Sequence, residues 1–133
     1  MNRPLFVLAL LCAVAAAGCK SAEAPVAGEL EVRLTTPNTD DRAVLFLLRG
    51  AQTAVTVPSG AAYRVLQSPA GTDSLRVLIL APLGGHLAAG ALVRVAVPDT
   101  RQATSYVAHV LDVASTAYAQ RALTGYGVTV VLP

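Results

Sequence analysis

The chain of 133 residues is rich in apolar side chains and poor in charge, with 54% hydrophobic and 14% charged residues. A typical soluble domain has about a quarter of its residues charged. Disordered chains are less hydrophobic than this one and usually more highly charged, so the body of this chain is expected to fold. The net charge is only +2, and the basic residues are scattered singly. This pattern gives no electrostatic footprint for nucleic acid, and we expect no nucleic-acid partner.

The N-terminal segment has the pattern of a secretion signal. Asn2 and Arg3 precede an uncharged apolar run at residues 5–17. Thirteen residues are too few to cross a bilayer, which takes roughly 20, but they match the apolar region of a signal peptide. The run ends in Ala16-Ala17-Gly18-Cys19, where small residues allow the backbone to enter a peptidase site.

The segment Ala16-Ala17-Gly18-Cys19 resembles the lipobox of bacterial lipoproteins. The resemblance implies that diacylglycerol is attached to the Cys19 thiol, and that signal peptidase II then cuts between Gly18 and Cys19 and removes residues 1–18. Ala16 stands where the family usually has Leu, although Ala is tolerated there. The alternative is an ordinary secretory signal cut after Ala17 or nearby, with Cys19 incidental.

The cysteine count favours lipid attachment. The chain has two cysteines, and Cys12 leaves with the signal, so Cys19 is the single thiol expected in the mature protein. That count excludes an internal disulfide and a Cys-based metal site. Two acyl chains give a stable membrane anchor where one is marginal. The resemblance therefore implies a lipid-anchored protein of the bacterial cell envelope. Lys20 in place of Asp favours the outer membrane, facing the periplasm or the cell surface.

Three regions are expected along the chain. Residues 1–18 form the lipoprotein signal peptide, and residues 19–27 form the lipidated N-terminus and a flexible tether. The tether has no hydrophobic periodicity, and Pro25 disfavours a helix. Residues 28–133 form the folded domain.

Short apolar or alternating segments fill the folded domain and are separated by turn residues. Residues 29–34 alternate polar and apolar, whereas residues 43–48 form a continuous apolar run that predicts a buried strand. Six further strands are predicted at residues 53–57, 63–66, 75–80, 92–97, 106–111 and 128–132. Eight short strands at a spacing of roughly 8 to 15 residues predict an all-β fold, a single small antiparallel β-sandwich of the immunoglobulin-like or cohesin-like type.

Two further structural expectations concern the core and one ambiguous segment. The Ala-rich residues 113–123 are compatible with a helical turn or with a loop. The residues expected in the core are Phe46, Val77, Ile79, Val95, Val110 and Val130.

The strand layout is similar to that of cohesin-type sandwiches, which bind partners or form surface structures. The similarity rests on residues 43–48 and 90–95 and covers about half of the domain. It implies a partner-binding role without catalysis, and no functional residue is carried over from that family.

Catalytic motifs are not recognisable in this sequence. His86 and His109 are the only histidines, and neither has a Cys or His at metal-ligand spacing. Ser59, His86 and Asp73 could be drawn as a hydrolase triad, but the chain has no Gly-x-Ser-x-Gly elbow. Glu29 and Glu31 share a strand face that we expect to be solvated. We therefore expect no enzyme and no cofactor.

The loop Asn38-Thr39-Asp40-Asp41 is the best candidate for a ligand site. Asn38, Asp40 and Asp41 could contribute oxygen ligands to Ca²⁺, which needs 6 to 8 oxygens, with help from Asp99 or Asp112 on neighbouring loops. Asn and Asp are also the residues that turns prefer, because their side chains bind the local backbone. The turn interpretation is favoured, and no metal is expected.

Leu123-Thr124-Gly125-Tyr126 resembles the tyrosine corner of Greek-key sandwiches, in which a Tyr hydroxyl binds backbone across a strand connection. A structural role is therefore expected for Tyr126. Exposed loops on a rigid scaffold usually carry recognition, so residues 38–41 and 84–90 are the expected binding loops.

These observations predict a lipid-anchored, non-catalytic binding or structural module. Its partners would be the membrane, through Cys19, and an envelope protein. Two alternatives remain, an accessory subunit of an envelope assembly or secretion complex and, least favoured, a hydrolytic enzyme.

Overall fold

The structure is a computed structural model that describes residues 23–50, 55–58 and 60–133. The signal segment, Cys19 and the start of the third predicted strand lie outside the described residues. Eight strands follow one another in the described part of the chain: β1 Gly28–Thr35, β2 Asp41–Arg49, β3 Val55–Thr56, β4 Arg64–Pro69, β5 Ser74–Leu80, β6 Gly90–Val97, β7 Val107–Ser115 and β8 Gly127–Val131.

The strands form two four-stranded sheets. Sheet A has the order β3-β6-β1-β8, and sheet B has the order β4-β5-β2-β7. Neighbouring strands are antiparallel throughout, and β7 and β8 lie close together along one side of the molecule. The predicted antiparallel β-sandwich is therefore confirmed.

The core forms between the two sheets because alternate residues of each strand point inward. Leu30, Val32 and Leu34 of β1 are buried, as the alternation predicts. Of the residues expected in the core, the structure buries Phe46, Val77, Ile79 and Val95 almost completely. Val110 and Val130 are only partly buried. The expectation was too strong for these two valines because β7 and β8 are edge strands, with a neighbouring strand on one side only.

The helix of the described residues is not the one considered from sequence. A 3₁₀ helix spans Thr100–Ser105 between β6 and β7, and the Asp99 carboxylate caps it by accepting the Arg101 N–H. Residues 113–115 instead complete β7, and the chain continues in turns and loop to residue 126. Of the two alternatives for this segment, the structure therefore has no helical turn. None of the helices in the described part of the chain has the length and hydropathy needed to span a membrane.

The described part of the expected tether, residues 23–27, lies against the 3₁₀ helix. The Val26 carbonyl accepts the Thr100 N–H at 2.8 Å, and the Val26 N–H donates to Asp99 Oδ1 at 3.2 Å. The Arg101 guanidinium donates to Glu23 Oε2 at 2.9 Å. This segment has neither helix nor strand, but its hydrogen bonds hold it at one end of the sandwich, which we call the 3₁₀ end.

Candidate functional site

A buried carboxylate organises the opposite end of the sandwich. Asp41 is the first residue of β2 and is fully buried. The Tyr126 hydroxyl donates to Asp41 Oδ1 at 2.7 Å, and the Thr36 hydroxyl donates to Oδ2 at 2.5 Å. Asn38 Nδ2 donates in turn to the Tyr126 oxygen at 2.7 Å. Thr36 follows β1 and Tyr126 precedes β8, so this Asp41 network joins the strand ends of sheet A to sheet B.

The neighbouring acid is neutralised by an arginine. The Arg121 guanidinium contacts the Asp40 carboxylate, and Arg121 Nε lies 3.6 Å from Asp41 Oδ1. The two other acids considered for the loop lie elsewhere: Asp99 is at the 3₁₀ end, and Asp112 on β7 accepts Gln120 Nε2 at 3.1 Å. Within the described ranges, no group of three or more His, Cys, Asp or Glu side chains is placed to hold a metal ion. Protein hydrogen bonds and the Arg121 ion pairs engage the Asp40 and Asp41 carboxylates.

Tyr126 is a structural residue of this end, as its sequence context predicts. Gly125 has φ +82°, and an added Cβ would come within 3.2 Å of the Pro37 ring, so the turn before Tyr126 favours glycine. Burial and the hydrogen bond to Asp41 raise the pKa of the Tyr126 hydroxyl. The hydroxyl binds the side chains of Asp41 and Asn38, whereas a tyrosine corner binds backbone. The similarity therefore extends to the cross-strand role and not to the type of acceptor.

The two loops expected to carry recognition do meet. Residues 36–39 and 86–89 line a groove of about 300 Å³. The Leu87 N–H donates to the Asp41 carbonyl at 2.7 Å and thereby holds one loop against the other. The side chains of Thr36 and Asn38 take part in the Asp41 network. Thr39 and exposed His86 are therefore the polar side chains that the groove offers to solvent.

The drawn hydrolase triad is not assembled in the described residues. Asp73 precedes β5 and His86 follows it, so a seven-residue strand about 20 Å long separates them. Ser59 lies outside the described residues. His109 is exposed on the outer face of β7.

The acid pair of β1 has a different environment from the one expected. Glu29 is exposed, but Glu31 is buried, with 9% of its surface accessible. Arg33 Nη1 lies 2.5 Å from Glu31 Oε1, and Arg94 Nη1 lies 3.4 Å from Glu29 Oε2. The expectation of a solvated pair was wrong for Glu31, which lies on a central strand between β6 and β8 and is paired with Arg33.

The outer face of sheet B is the surface that sequence reasoning missed. Inward-facing Val44, Phe46 and Leu48 alternate with Leu45 and Leu47, which point away from the core and are half-buried. The register extends this apolar surface across three strands. The residues of the apolar face, as we call it, are Leu45, Leu47, Leu66, Leu78 and Leu80.

A shallow hollow of about 230 Å³ lies on the apolar face. The register aligns Leu45, Leu78 and Leu66 side by side across β2, β5 and β4, and Leu66 is 44% exposed. These leucines line the hollow together with Arg76 and Ser68. Large apolar patches on a protein surface often coincide with interaction sites, so this hollow is a candidate for one.

Three arginines surround the leucines. Arg49, Arg64 and Arg76 are exposed and fall on the outer face by strand alternation. Among the described residues, none of the three forms an ion pair. The strands of this sheet contain two acids, the buried Asp41 and the hydrogen-bonded Asp112. The face is therefore both apolar and cationic.

The signal for this surface was present in residues 43–48. A continuous apolar run is expected for a strand covered on both sides, as in parallel sheets. In a two-layer sandwich each strand has one covered side only, so three residues of such a run must face outward. The run predicted a strand correctly and, combined with the predicted sandwich, implied an exposed apolar face.

Known proteins add no further evidence on function. No protein-family model, no curated protein and no solved structure matches this chain. Evidence on function therefore comes from the chain's own residues and surfaces.

Proposed function

We propose that the protein is a lipid-anchored binding module of the bacterial cell envelope that acts by recognition and not by catalysis. The observation that carries the recognition role is the apolar, cationic outer face of sheet B. Exposing leucines costs free energy of about 25 cal/mol per Å² relative to burying them. A partner that covers this surface would recover that free energy.

The proposed anchor comes from the lipobox-like segment at residues 16–19, with diacylglycerol on the Cys19 thiol. Lipid confinement raises the effective concentration of the domain toward other molecules at the same membrane. A rigid sandwich suits this role because the Asp41 network and the core fix the orientation of its faces.

Lipid attachment is tested by mass spectrometry of the full chain produced in a bacterium. The expected species begins at Cys19 and carries the mass of diacylglycerol, and the Cys19→Ser variant accumulates uncleaved. A wild-type protein with an unmodified N-terminus at any other residue would contradict the anchor.

Recognition is tested in the same cells by photo-crosslinking. A photoreactive amino acid is placed at Leu66 on the apolar face and, as a matched control, at Thr129 on the outer face of sheet A; both are exposed. We expect discrete adducts from position 66 and none from position 129. Equal adducts from both positions would remove the support for a binding face.

The accessory-subunit alternative is distinguished by the number of adducts. A subunit of one assembly would yield a single adduct at a fixed ratio to the protein. A general binding module would yield several adducts, whose proportions change with growth conditions.

A further inference from the structure

We infer that the apolar face binds a protein segment in which an apolar side chain is flanked by carboxylates. This inference rests on the proposed binding function and specifies the chemistry of the partner. It follows from three properties of the face: the hollow, the unpaired arginines and the spacing between them.

The hollow favours a side chain as its occupant over a lipid surface. Peripheral proteins that enter a bilayer bury apolar groups roughly 5–10 Å into the headgroup and acyl boundary. The leucines of sheet B are half-buried and surround a depression of about 230 Å³. Half-buried leucines around a depression project little apolar surface into a bilayer, whereas the depression can accept an aliphatic side chain of a partner.

The arginines argue against a second copy of this chain. A two-fold interface places the same patch on both sides. Arg49, Arg64 and Arg76 of one copy would then be desolvated near their counterparts. On these strands, Asp112 is the acid outside the core that could pair with an arginine of the other copy, and it already accepts a hydrogen bond from Gln120 Nε2. Like charges across an interface are unfavourable, so a partner of opposite charge is favoured.

The spacing of the groups specifies the motif. Arg76 and Leu78 are two residues apart on β5, about 7 Å, and Arg64 pairs with Leu80 two residues further on. An extended segment presents alternate side chains to one side with the same spacing. A segment Glu-x-Leu-x-Glu, where x is any residue, would place its leucine over the hollow and its carboxylates near Arg76 and Arg64.

The test uses the full chain as recovered from bacterial membranes, held in phosphatidylcholine nanodiscs with one chain per disc. The probe is the fluorescein-labelled peptide Gly-Glu-Ser-Leu-Ser-Glu-Gly, followed by fluorescence anisotropy. Two control peptides replace both Glu by Lys or the Leu by Ser. We expect saturable binding of the first peptide and at least fivefold weaker binding of each control.

Two charge-matched variants locate the site. Arg76→Gln and Arg33→Gln each remove one positive charge, from sheet B and sheet A respectively. Loss of one exposed ion pair with the peptide should make the binding of Arg76→Gln roughly 1.5- to fivefold weaker, whereas Arg33→Gln should not weaken it. Equal weakening by both variants, or no binding of the acidic peptide, would overturn the inference.

The other occupants are tested in nanodiscs as well. A fluorophore at Ser68→Cys that nitroxide-labelled lipid quenches more strongly than one at Thr129→Cys would mean that the face lies on the bilayer. In separately prepared discs that hold two chains each, disulfide formation between the Ser68→Cys chains would indicate a second copy. Either result overturns the inference. The N-terminal mass is measured on the same preparation: a missing lipid contradicts the proposed anchor, whereas a lipidated chain that ignores the peptide contradicts the partner chemistry alone.

Discussion

The two outer faces of this sandwich are built on the same strand geometry and differ in how their charges are used. On sheet A, Arg33 and Arg94 are paired with Glu31 and Glu29 across and along the strands. On sheet B, the arginines have no acidic partner among the described residues, and leucines occupy the positions between them. The charges of sheet A neutralise one another, so this face is stable in contact with water and needs no binding partner. The face of sheet B has apolar and cationic groups that a partner can still satisfy.

The difference between the two faces would disappear if the outer-face leucines of sheet B stabilised the fold as core residues do. Ile79 points inward and is fully buried, whereas its neighbour Leu78 points outward. We expect Ile79→Ala to lower the free energy of unfolding by about 2–5 kcal/mol, because it leaves a cavity in the core. Leu78→Ala should lower it by about 1 kcal/mol or less. Urea unfolding of both variants measures the difference, and equal costs would mean that the apolar face is structural.

The comparison also requires that both sheets are held in one frame. Tyr126→Phe removes the hydroxyl that binds the buried Asp41 carboxylate and should lower the free energy of unfolding by about 1–2 kcal/mol. Tyr118→Phe is the control, since Tyr118 is 72% exposed and its expected cost is below about 0.5 kcal/mol.

The same hydroxyl gives the network a pH dependence. Because the folded-state pKa of Tyr126 is raised, its contribution to stability is present below pH 10 and is lost as the pH rises through the folded pKa. Thermal unfolding should therefore show a smaller difference between wild type and Tyr126→Phe at alkaline pH. A difference that grows above pH 10 would contradict the hydrogen bond.

Pairing of the arginines can be compared directly by truncation. Arg33→Ala removes the partner of a largely buried glutamate and should cost about 1 kcal/mol, whereas Arg76→Ala has no ion pair to lose and should cost less than about 0.5 kcal/mol. A double-mutant cycle of Glu31→Ala and Arg33→Ala measures the coupling. Zero coupling would remove the distinction between the two faces in charge pairing.

The smallest expected effect on stability is at the 3₁₀ end, where residues 23–27 dock. The Arg101 guanidinium lowers the pKa of the Asp99 carboxyl from 3.8 to about 2. The folded pKa is depressed, so the contribution of Asp99 is present above pH 4 and is lost as the pH falls toward 2. Asp99→Asn and Arg101→Gln should each reduce the change in melting temperature between pH 4 and pH 2. Unchanged profiles in both variants would mean that the ion pair does not form in solution.

The strand pattern predicted the fold because both are local consequences of alternation. Residues 29–34 alternate in sequence, and Leu30 and Leu34 are buried as a result. The same reasoning fails for Glu31, because the central position of β1 and the pairing with Arg33 depend on strand order and side-chain conformation and not on spacing. It also fails for Val110, because edge position is a property of strand order.

The candidate site shows a similar limit. Asn38, Asp40 and Asp41 were identified as a group from their spacing, and the structure does place them together. Their partners Arg121 and Tyr126 lie more than 80 residues away in the chain, and no local pattern links such distant positions. The run at residues 43–48 implied one exposed apolar strand face, but the extent of the apolar face appears only when β2, β5 and β4 are placed side by side.

The docking of residues 23–26 on the 3₁₀ helix has a geometric consequence for a chain anchored at Cys19, as proposed above. Only four peptide steps then separate the lipid-bearing residue from Glu23, a span of at most about 14 Å. The nine-residue strand β2 alone is about 30 Å long. Because the tether is shorter than the domain, the domain cannot reverse its orientation relative to the membrane. The 3₁₀ end would stay next to the headgroups, the groove at the other end would point away from them, and the outer face of sheet B would be approached sideways, by molecules moving parallel to the membrane.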